Sequence, residues 1–367
     1  MLDTTYDPYE PEHCEGIYCH LYKGEDIWAK LYPLLLSRGY RLRPRYAPGW
    51  IPSWTLPGNE HLRRSHCEDA LGKAGKLLDA TRLSDDTKVV LKMVDSDEAD
   101  IAQYLSSLSD DATNHTVPVL DIINATSEGS PKMLLVMPML LQFENLPFRR
   151  LGEVTEAFQQ FLEGLVFMHD HNVAHRDACW NNLMMDISKV IPDGYHFCFW
   201  DKQDGIEHKI KWNERWTVKP VKYFFIDFEF SRRYSAEEDR KIIGLKCQDK
   251  TVPELSSSVP YDPFKVDIYH LGNVINKMIK VCCILCCKCL LKYILHQEYD
   301  GLELLRPLAD TMTRKDPVER PTASEAYEQF KKLTCNLKKS RLQRRIWRMD
   351  LSRFDRLLVR YCGMSEI

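Results

Sequence analysis

His175-Arg176-Asp177-Ala178-Cys179-Trp180-Asn181-Asn182 sets a carboxylate and a carboxamide five residues apart, directly after an apolar, helix-like run. One tight loop with that spacing presents a proton acceptor and a metal-binding oxygen toward the same phosphate, which is the pairing phosphoryl transfer requires. Asp177 is the expected base and Asn182 an expected metal ligand. Downstream, Tyr223-Phe224-Phe225-Ile226-Asp227-Phe228-Glu229 reads as a strand delivering an acidic residue to a loop, so Asp227 is expected to hold the metal as well. Asp177 alone would read as a solvated turn residue; the spaced set carries the assignment.

Together these segments resemble the eukaryotic protein kinase superfamily: the HRDxxxxN loop is complete, and the metal-binding DFG stands as Asp227-Phe228-Glu229. Two further stretches are similar to it. Asp267-Ile268-Tyr269-His270-Leu271-Gly272 resembles the start of the helix whose buried Asp holds the loop backbone, and Asp316-Pro317-Val318-Glu319-Arg320-Pro321 carries the Arg that pairs with the Glu of APE, here Thr251-Val252-Pro253-Glu254. The resemblance covers roughly residues 70–335. It implies an α+β, two-lobed protein kinase-like fold with ATP and Mg²⁺ between the lobes. The small lobe, an antiparallel sheet plus one helix, is expected over about 70–138 and the large, mainly helical lobe over about 139–335. Residues 1–69 are then an N-terminal extension and 336–367 a basic C-terminal tail.

A length of 367 residues suits one bilobed domain with extensions, and 44% hydrophobic with 28% charged residues describes a soluble globular chain with an ample core. The net charge of −3 gives no electrostatic footprint for nucleic acid. Met1–Glu15 is acidic and polar without an apolar signal region, so an intracellular location, cytoplasmic or nuclear, is expected. In that setting the thirteen cysteines are expected to be thiols.

Residues 1–27 read as a flexible lead. Trp28–Trp54 begins as a short amphipathic helix and becomes rich in Arg, Pro and aromatics, which suits a strap with stacked Arg and Trp side chains. It also resembles the N-terminal extension of a group of fungal kinase-like proteins. From Lys76 to Val94, apolar residues around the turn Ser84-Asp85-Asp86 predict a β-hairpin. By resemblance, Lys92 is the lysine that holds the α and β phosphates. Glu98, Ile101, Leu105 and Leu108 share one helical face, so Glu98 points inward to pair with Lys92, whereas Asp100 lies off that face. Only Gly72 and Gly75 precede the hairpin, and no GxGxxG is present, so backbone amides approach phosphates less closely there. Lys132–Leu140 reads as a buried strand and connector. The resemblance places Met137 at the back of an adenine pocket, with the Pro138 carbonyl and the Leu140 amide on the base edge.

Leu151–His171 reads as a helix with Phe158, Phe161, Leu162, Leu165 and Met168 as its core stripe. Cys179 and Asn181 stand where many kinases of this family carry a Lys or an Arg beside the catalytic Asp. Ile187–Lys219 is an excursion from the hairpin that joins the two loops. Phe228–Glu254 is the expected activation segment, with Ser231, Tyr234, Ser235 and Thr251 as candidate phosphosites and Arg176 as the residue that reads a phosphate. Glu254 and Arg320 are expected to form a buried bidentate pair. Val281–Gln297 holds five cysteines and is too short and too charged to span a bilayer. It begins with a Val codon (GTN) and ends with Gln, readable as CAG, which fits a retained intron. Leu342, Ile346, Trp347, Leu351, Phe354, Leu358 and Tyr361 recur at helical spacing in the tail, predicting a basic amphipathic helix docked on the large lobe.

The expected activity is transfer of the γ-phosphoryl of ATP to a protein hydroxyl, Ser or Thr favoured over Tyr. Two alternatives remain open at the level of sequence. One is a pseudokinase scaffold, favoured by the missing glycine loop, the missing loop cation and the lost DFG glycine. The other is a small-molecule kinase, because Ile226-Asp227-Phe228-Glu229 also resembles the IDFE of choline and aminoglycoside kinases.

Overall fold

Trp28, Leu31 and Leu35 recur on one face of a helix, and burying that face needs a partner surface. In the computed structural model, which describes residues 20–59, 61–127, 130–235, 238–279, 299–352 and 354–357, that helix is α1 (Asp26–Ser37). The chain mixes helices with antiparallel strands and divides into two compact units.

The first unit runs up to Ala99 and adds Pro118–Met139 and Ile191–Trp212. After α1 come β1 (Tyr40–Leu42), β2 (Leu77–Arg82), β3 (Thr87–Val94), α2 (Ser96–Ser107), within which the division falls, β4 (Asp121–Ser127) and β5 (Ser130–Pro138). The strands form one antiparallel sheet in the order β1-β2-β3-β5-β4. Leu78, Ala80, Val89, Leu91, Leu134 and Val136 alternate onto one face and bury Trp28 and Leu35 of α1. The opposite face carries Asp79, Val90, Lys92, Leu135 and Met137, as the registers Leu77↔Lys92, Asp79↔Val90, Lys92↔Leu135 and Val90↔Met137 require.

β1 brings Tyr40–Leu42, from the stretch expected to be an N-terminal extension, into the sheet. A three-residue strand between a helix and Pro44 is too short to show a period-2 pattern. The β1–β2 connection is therefore the long strap itself. It is anchored by Arg45, which pairs with Glu25 at 2.8 Å and stacks 4.8 Å from the ring centres of both Tyr22 and Trp50. Asp69 ties it down further, accepting from Trp50 Nε1, Ser53 N and Ser53 Oγ at 3.0, 2.8 and 2.6 Å.

The second unit holds β6 (Leu140–Gln142), α3 (Leu151–Asp170), β7 (Val173–Ala174), β8 (Leu183–Asp186), α4 (Arg215–Val218) and β9 (Tyr223–Phe225). These are followed by β10 (Arg232–Arg233), β11 (Ile242–Gly244), β12 (Ser256–Tyr261), α5 (Pro263–Ile279), β13 (Tyr299–Asp300) and α6 (Arg306–Met312). Last come α7 (Ala323–Thr334), α8 (Lys339–Leu342) and β14 (Trp347–Arg348). The predicted stripe of α3 is fully buried, with Phe161 edge-on to Phe143, Tyr223 and Phe225. β6, β8 and β9 form a small antiparallel sheet.

Among the described residues the tail is not one long helix across 338–352, and 354–357 are helical again. Helix α8 is one turn, and β14 pairs with β13 instead, because Ile346 is buried and the backbone of Trp347 and Arg348 meets Asp300 and Tyr299. Leu358 and Tyr361 lie outside the described residues, as do the lead up to Cys19 and the cysteine-rich stretch Val281–Gln297. The five described cysteines are free thiols. No described helix is long and apolar enough to cross a membrane.

Candidate functional site

In the first unit, Asp95 caps the start of α2 by accepting from Glu98 N at 3.0 Å, which fixes the turn on which Glu98 sits. Glu98 Oε1 and Lys92 Nζ form a buried ion pair, and Asp100 is exposed, so the inward carboxylate is Glu98. Met137 is buried on the same sheet face as Lys92, Pro138 ends β5, and Leu140 starts β6 in the second unit.

That face carries a charge system the sequence did not reveal. Asp79 accepts from Arg43 Nε at 2.9 Å, and both side chains are buried. Arg43 continues to Leu71 O at 2.5 Å and to Glu68 at 3.3 Å, and Glu68 accepts from His196 at 3.0 Å. Burial acts to lower the Arg43 pKa, but the charge of Asp79, with Cys198, Tyr46 and Glu68, raises it overall. Arg43, Glu68, Asp79 and His196, with Thr81, Met139 and Tyr195, line a cavity of about 540 Å³. The one available signal was Asp79 itself, an acid inside an apolar strand, which must find a partner when buried.

The two glycines before the hairpin have structural duties of their own. A Cβ on Gly72 would collide with Glu25 Oε1 and the Tyr22 ring, and Gly75 holds φ +111°, where side chains are strained.

In the second unit the loop 175–182 is suspended from α5. Asp267, fully buried, accepts from His175 N at 2.8 Å and Arg176 N at 2.6 Å, and its Oδ2 lies 3.1 Å from His169 Nε2. Burial alone would raise its carboxyl; the hydrogen bond from His169 leads the interactions that outweigh that and hold it below the ordinary carboxylate value. His175 Nε2 donates to Ile226 O at 3.0 Å, which leaves Nδ1 to accept from Asp177 N at 3.3 Å. Arg176 and Asp227 both take the left-handed conformation, φ +66° and +67°. Two such non-glycine residues cost about 1–3 kcal/mol each and persist only where the surroundings over-determine them.

Asn182 and Asp227 flank adjoining ends of β8 and β9, which are antiparallel neighbours: Leu183 pairs with Phe225, and Ile226 N donates to Asn182 O at 3.0 Å. Asn182 Nδ2 donates to Asp177 O at 2.8 Å and to Asp177 Oδ2 at 2.9 Å, which turns its Oδ1 away as the atom able to face a cation. Carboxamide and carboxylate oxygens are the ligand type Mg²⁺ prefers, and one or two protein ligands are what it takes beside phosphates. Asn182 and Asp227 are therefore of the donor type that could hold a divalent cation. Among the described residues no cluster of three or more His, Cys, Asp or Glu is placed to hold a metal.

Several neighbours are settled by the same geometry. Glu254 and Arg320 form the predicted bidentate pair at 2.6 and 2.7 Å, and Arg320 also donates to the carbonyls of Arg314, Lys265 and Lys315. Tyr234 is buried, Ser231 Oγ donates to His175 O, and Thr251 Oγ1 to Asp249, which leaves Ser235 as the exposed candidate phosphosite without such an engagement among the described residues. Burial first, and then the Asp177 charge, pushes the Cys179 thiol up; burial likewise pushes Cys247 up to about 11, so both stay neutral.

His270 on α5 is fully buried, and neither ring nitrogen has a hydrogen-bond partner among the described residues. Burial, the largest influence, lowers its pKa against the pull of Asp267, Asp177 and Asp249. The folded chain thus keeps it neutral at a pH where the unfolded chain, with an imidazole near about 6.5, takes up a proton. Stability present above that pH is lost as pH falls through it, by up to about 1.4 kcal/mol per pH unit. Urea unfolding of the wild type and His270→Leu from about pH 7.5 to about 5.5 checks this: the variant should lose one proton's share of the slope. Equal slopes would place the acid lability elsewhere.

A scan of the chain against models of known protein families finds no match.

Proposed function

We propose that this chain is a phosphotransferase of the protein kinase type, which moves the γ-phosphoryl of ATP to a protein hydroxyl, Ser or Thr favoured over Tyr. The observation that carries the reading is the loop 175–182, held by the buried Asp267 with Asp177 and Asn182 hydrogen-bonded to each other and Asp227 on the adjoining strand end. On this reading the five-stranded sheet with α1 and α2 is the small lobe of a kinase-like fold, and the mainly helical unit is the large one. The protein works inside the cell, in cytoplasm or nucleus, on a protein partner.

Asp177 accepts the proton of the attacking hydroxyl and orients it. Asn182 Oδ1 and Asp227 hold the divalent cation. Lys92, kept in place by Glu98, contacts the α and β phosphates. Bound Mg²⁺ neutralises charge on the phosphates during transfer. The Glu254–Arg320 pair supports a protein kinase over a choline or aminoglycoside kinase, because those enzymes lack it in this arrangement.

One observation favours a second reading, a nucleotide-free scaffold. The sheet face that bears Lys92 and Met137 also bears the buried Arg43–Asp79 pair, with His196 joined to it through Glu68. Thermal unfolding with millimolar MgATP separates the two. A ligand that binds only the folded state at 100 times its Kd adds about 2.7 kcal/mol. The wild type should be stabilised, and Asp227→Asn should lose the Mg²⁺-dependent part of the shift. No stabilisation of the wild type would select the scaffold.

A further inference from the structure

Asp177 is 2% exposed, and among the described residues its two carboxylate oxygens accept from four donors. Oδ1 takes Gln248 N at 2.7 Å and Cys179 Sγ at 3.5 Å; Oδ2 takes Asn182 Nδ2 at 2.9 Å and Gln248 Nε2 at 2.8 Å. A carboxylate offers about four lone-pair sites, so an arriving hydroxyl finds none open. The same Gln248 Nε2 also lies 3.3 Å from Asn182 Oδ1, the oxygen that would face a cation. Its Oε1 is held by Asn181 Nδ2 at 2.6 Å. One carboxamide thus covers the base and the ligand together.

We infer that Gln248 is a latch: its side chain occupies the acceptor-hydroxyl position on Asp177 and the cation position on Asn182, and must swing away before either binds. The inference rests on the phosphotransferase reading for what displaces the amide. Rotation about the Gln248 side chain alone suffices, because its backbone N–H keeps the segment on Asp177 Oδ1 while Oδ2 and Asn182 Oδ1 are released together. Asn181, exposed and with its side chain bonded among the described residues to the latch's oxygen and to Gln142, sets how firmly it closes. A residue that merely positioned Asp177 would not need to touch Asn182.

The test is Mn²⁺ binding to the full chain without nucleotide, read from the electron paramagnetic resonance signal of free Mn²⁺, in the wild type, Gln248→Ala and Asn181→Ala. Removing one competing neutral hydrogen bond should tighten Mn²⁺ binding about three- to tenfold in Gln248→Ala, and by less in Asn181→Ala. Circular dichroism melts establish that both variants fold, and Asn181→Ala, at an exposed position, keeps the question decidable if Gln248→Ala does not. Mn²⁺ affinity that is unchanged or weaker in the folded variants overturns the latch and makes Gln248 a positioning residue. Tighter Mn²⁺ binding with no phosphate transfer from ATP in any of the three leaves the latch standing and removes the transferase reading.

Discussion

Replacing Asp177 by Asn lowers the phosphotransfer rate by about 10²- to 10⁴-fold and leaves MgATP binding nearly unchanged. On the proposed reading the carboxylate takes the acceptor's proton, and an amide of the same shape cannot do so. The same reading assigns nucleotide binding to Lys92, Asn182 and Asp227, and the loop backbone is held by Asp267, none of which the substitution removes. The substitution does turn an NH₂ toward donors that Asp177 now satisfies, Gln248 among them, so a melt of the variant accompanies the rate. A split between rate and affinity is the diagnostic result. Equal losses in both would mean that Asp177 organises the loop and is not the base, and a retained rate would remove it from the chemistry.

Arg45→Met destabilises the first unit by about 3–5 kcal/mol, since it leaves the Glu25 carboxylate buried without its cation. Both side chains are fully buried. Glu25 accepts from Arg45 Nε and Nη2, Tyr46 Oη, Lys73 N and Tyr22 N, and so joins α1 to both ends of the strap. Burial alone would raise its carboxyl, but the Arg45 hydrogen bond leads the interactions that hold it below the ordinary value. That contribution is present above the unfolded carboxylate pKa and is lost as pH falls through the folded one. In the double variant Glu25→Leu, Arg45→Met, apolar volume replaces both charges and most of the stability returns. Urea unfolding of the two single variants and the double measures this; additive losses would show that the two residues act independently.

What could be read from the sequence was whatever a short window contains. The Asp177–Asn182 spacing, the α3 stripe, the Leu77–Val94 hairpin and the turn that aims Glu98 at Lys92 are all set by neighbours within a few residues. The Glu254–Arg320 pair spans 66 positions, but each partner sits in its own recognisable motif. The Arg43–Asp79–Glu68–His196 chain has no such marker. His196 and Glu68 are 128 positions apart, and only the folded backbone brings the excursion onto the strap. Gln248 meets Asp177 across 71 positions and belongs to no pattern. The tail misled for a related reason: helical spacing reports which residues are apolar, and strand pairing with Tyr299 and Asp300 used them differently. Gly72 shows the converse, since a glycine noted only for the missing GxGxxG is required small by Glu25 and Tyr22.

The central claim is that phosphate leaves ATP for a protein hydroxyl at Asp177. The most direct measurement incubates the purified full chain and a generic basic protein with γ-labelled ATP and Mg²⁺, beside Asp177→Asn prepared identically, and locates the label by mass spectrometry. The account predicts label on Ser or Thr hydroxyls with the wild type and its near-complete loss with the variant. Label that is equal in both, or absent from the wild type while MgATP raises its melting temperature, would contradict it.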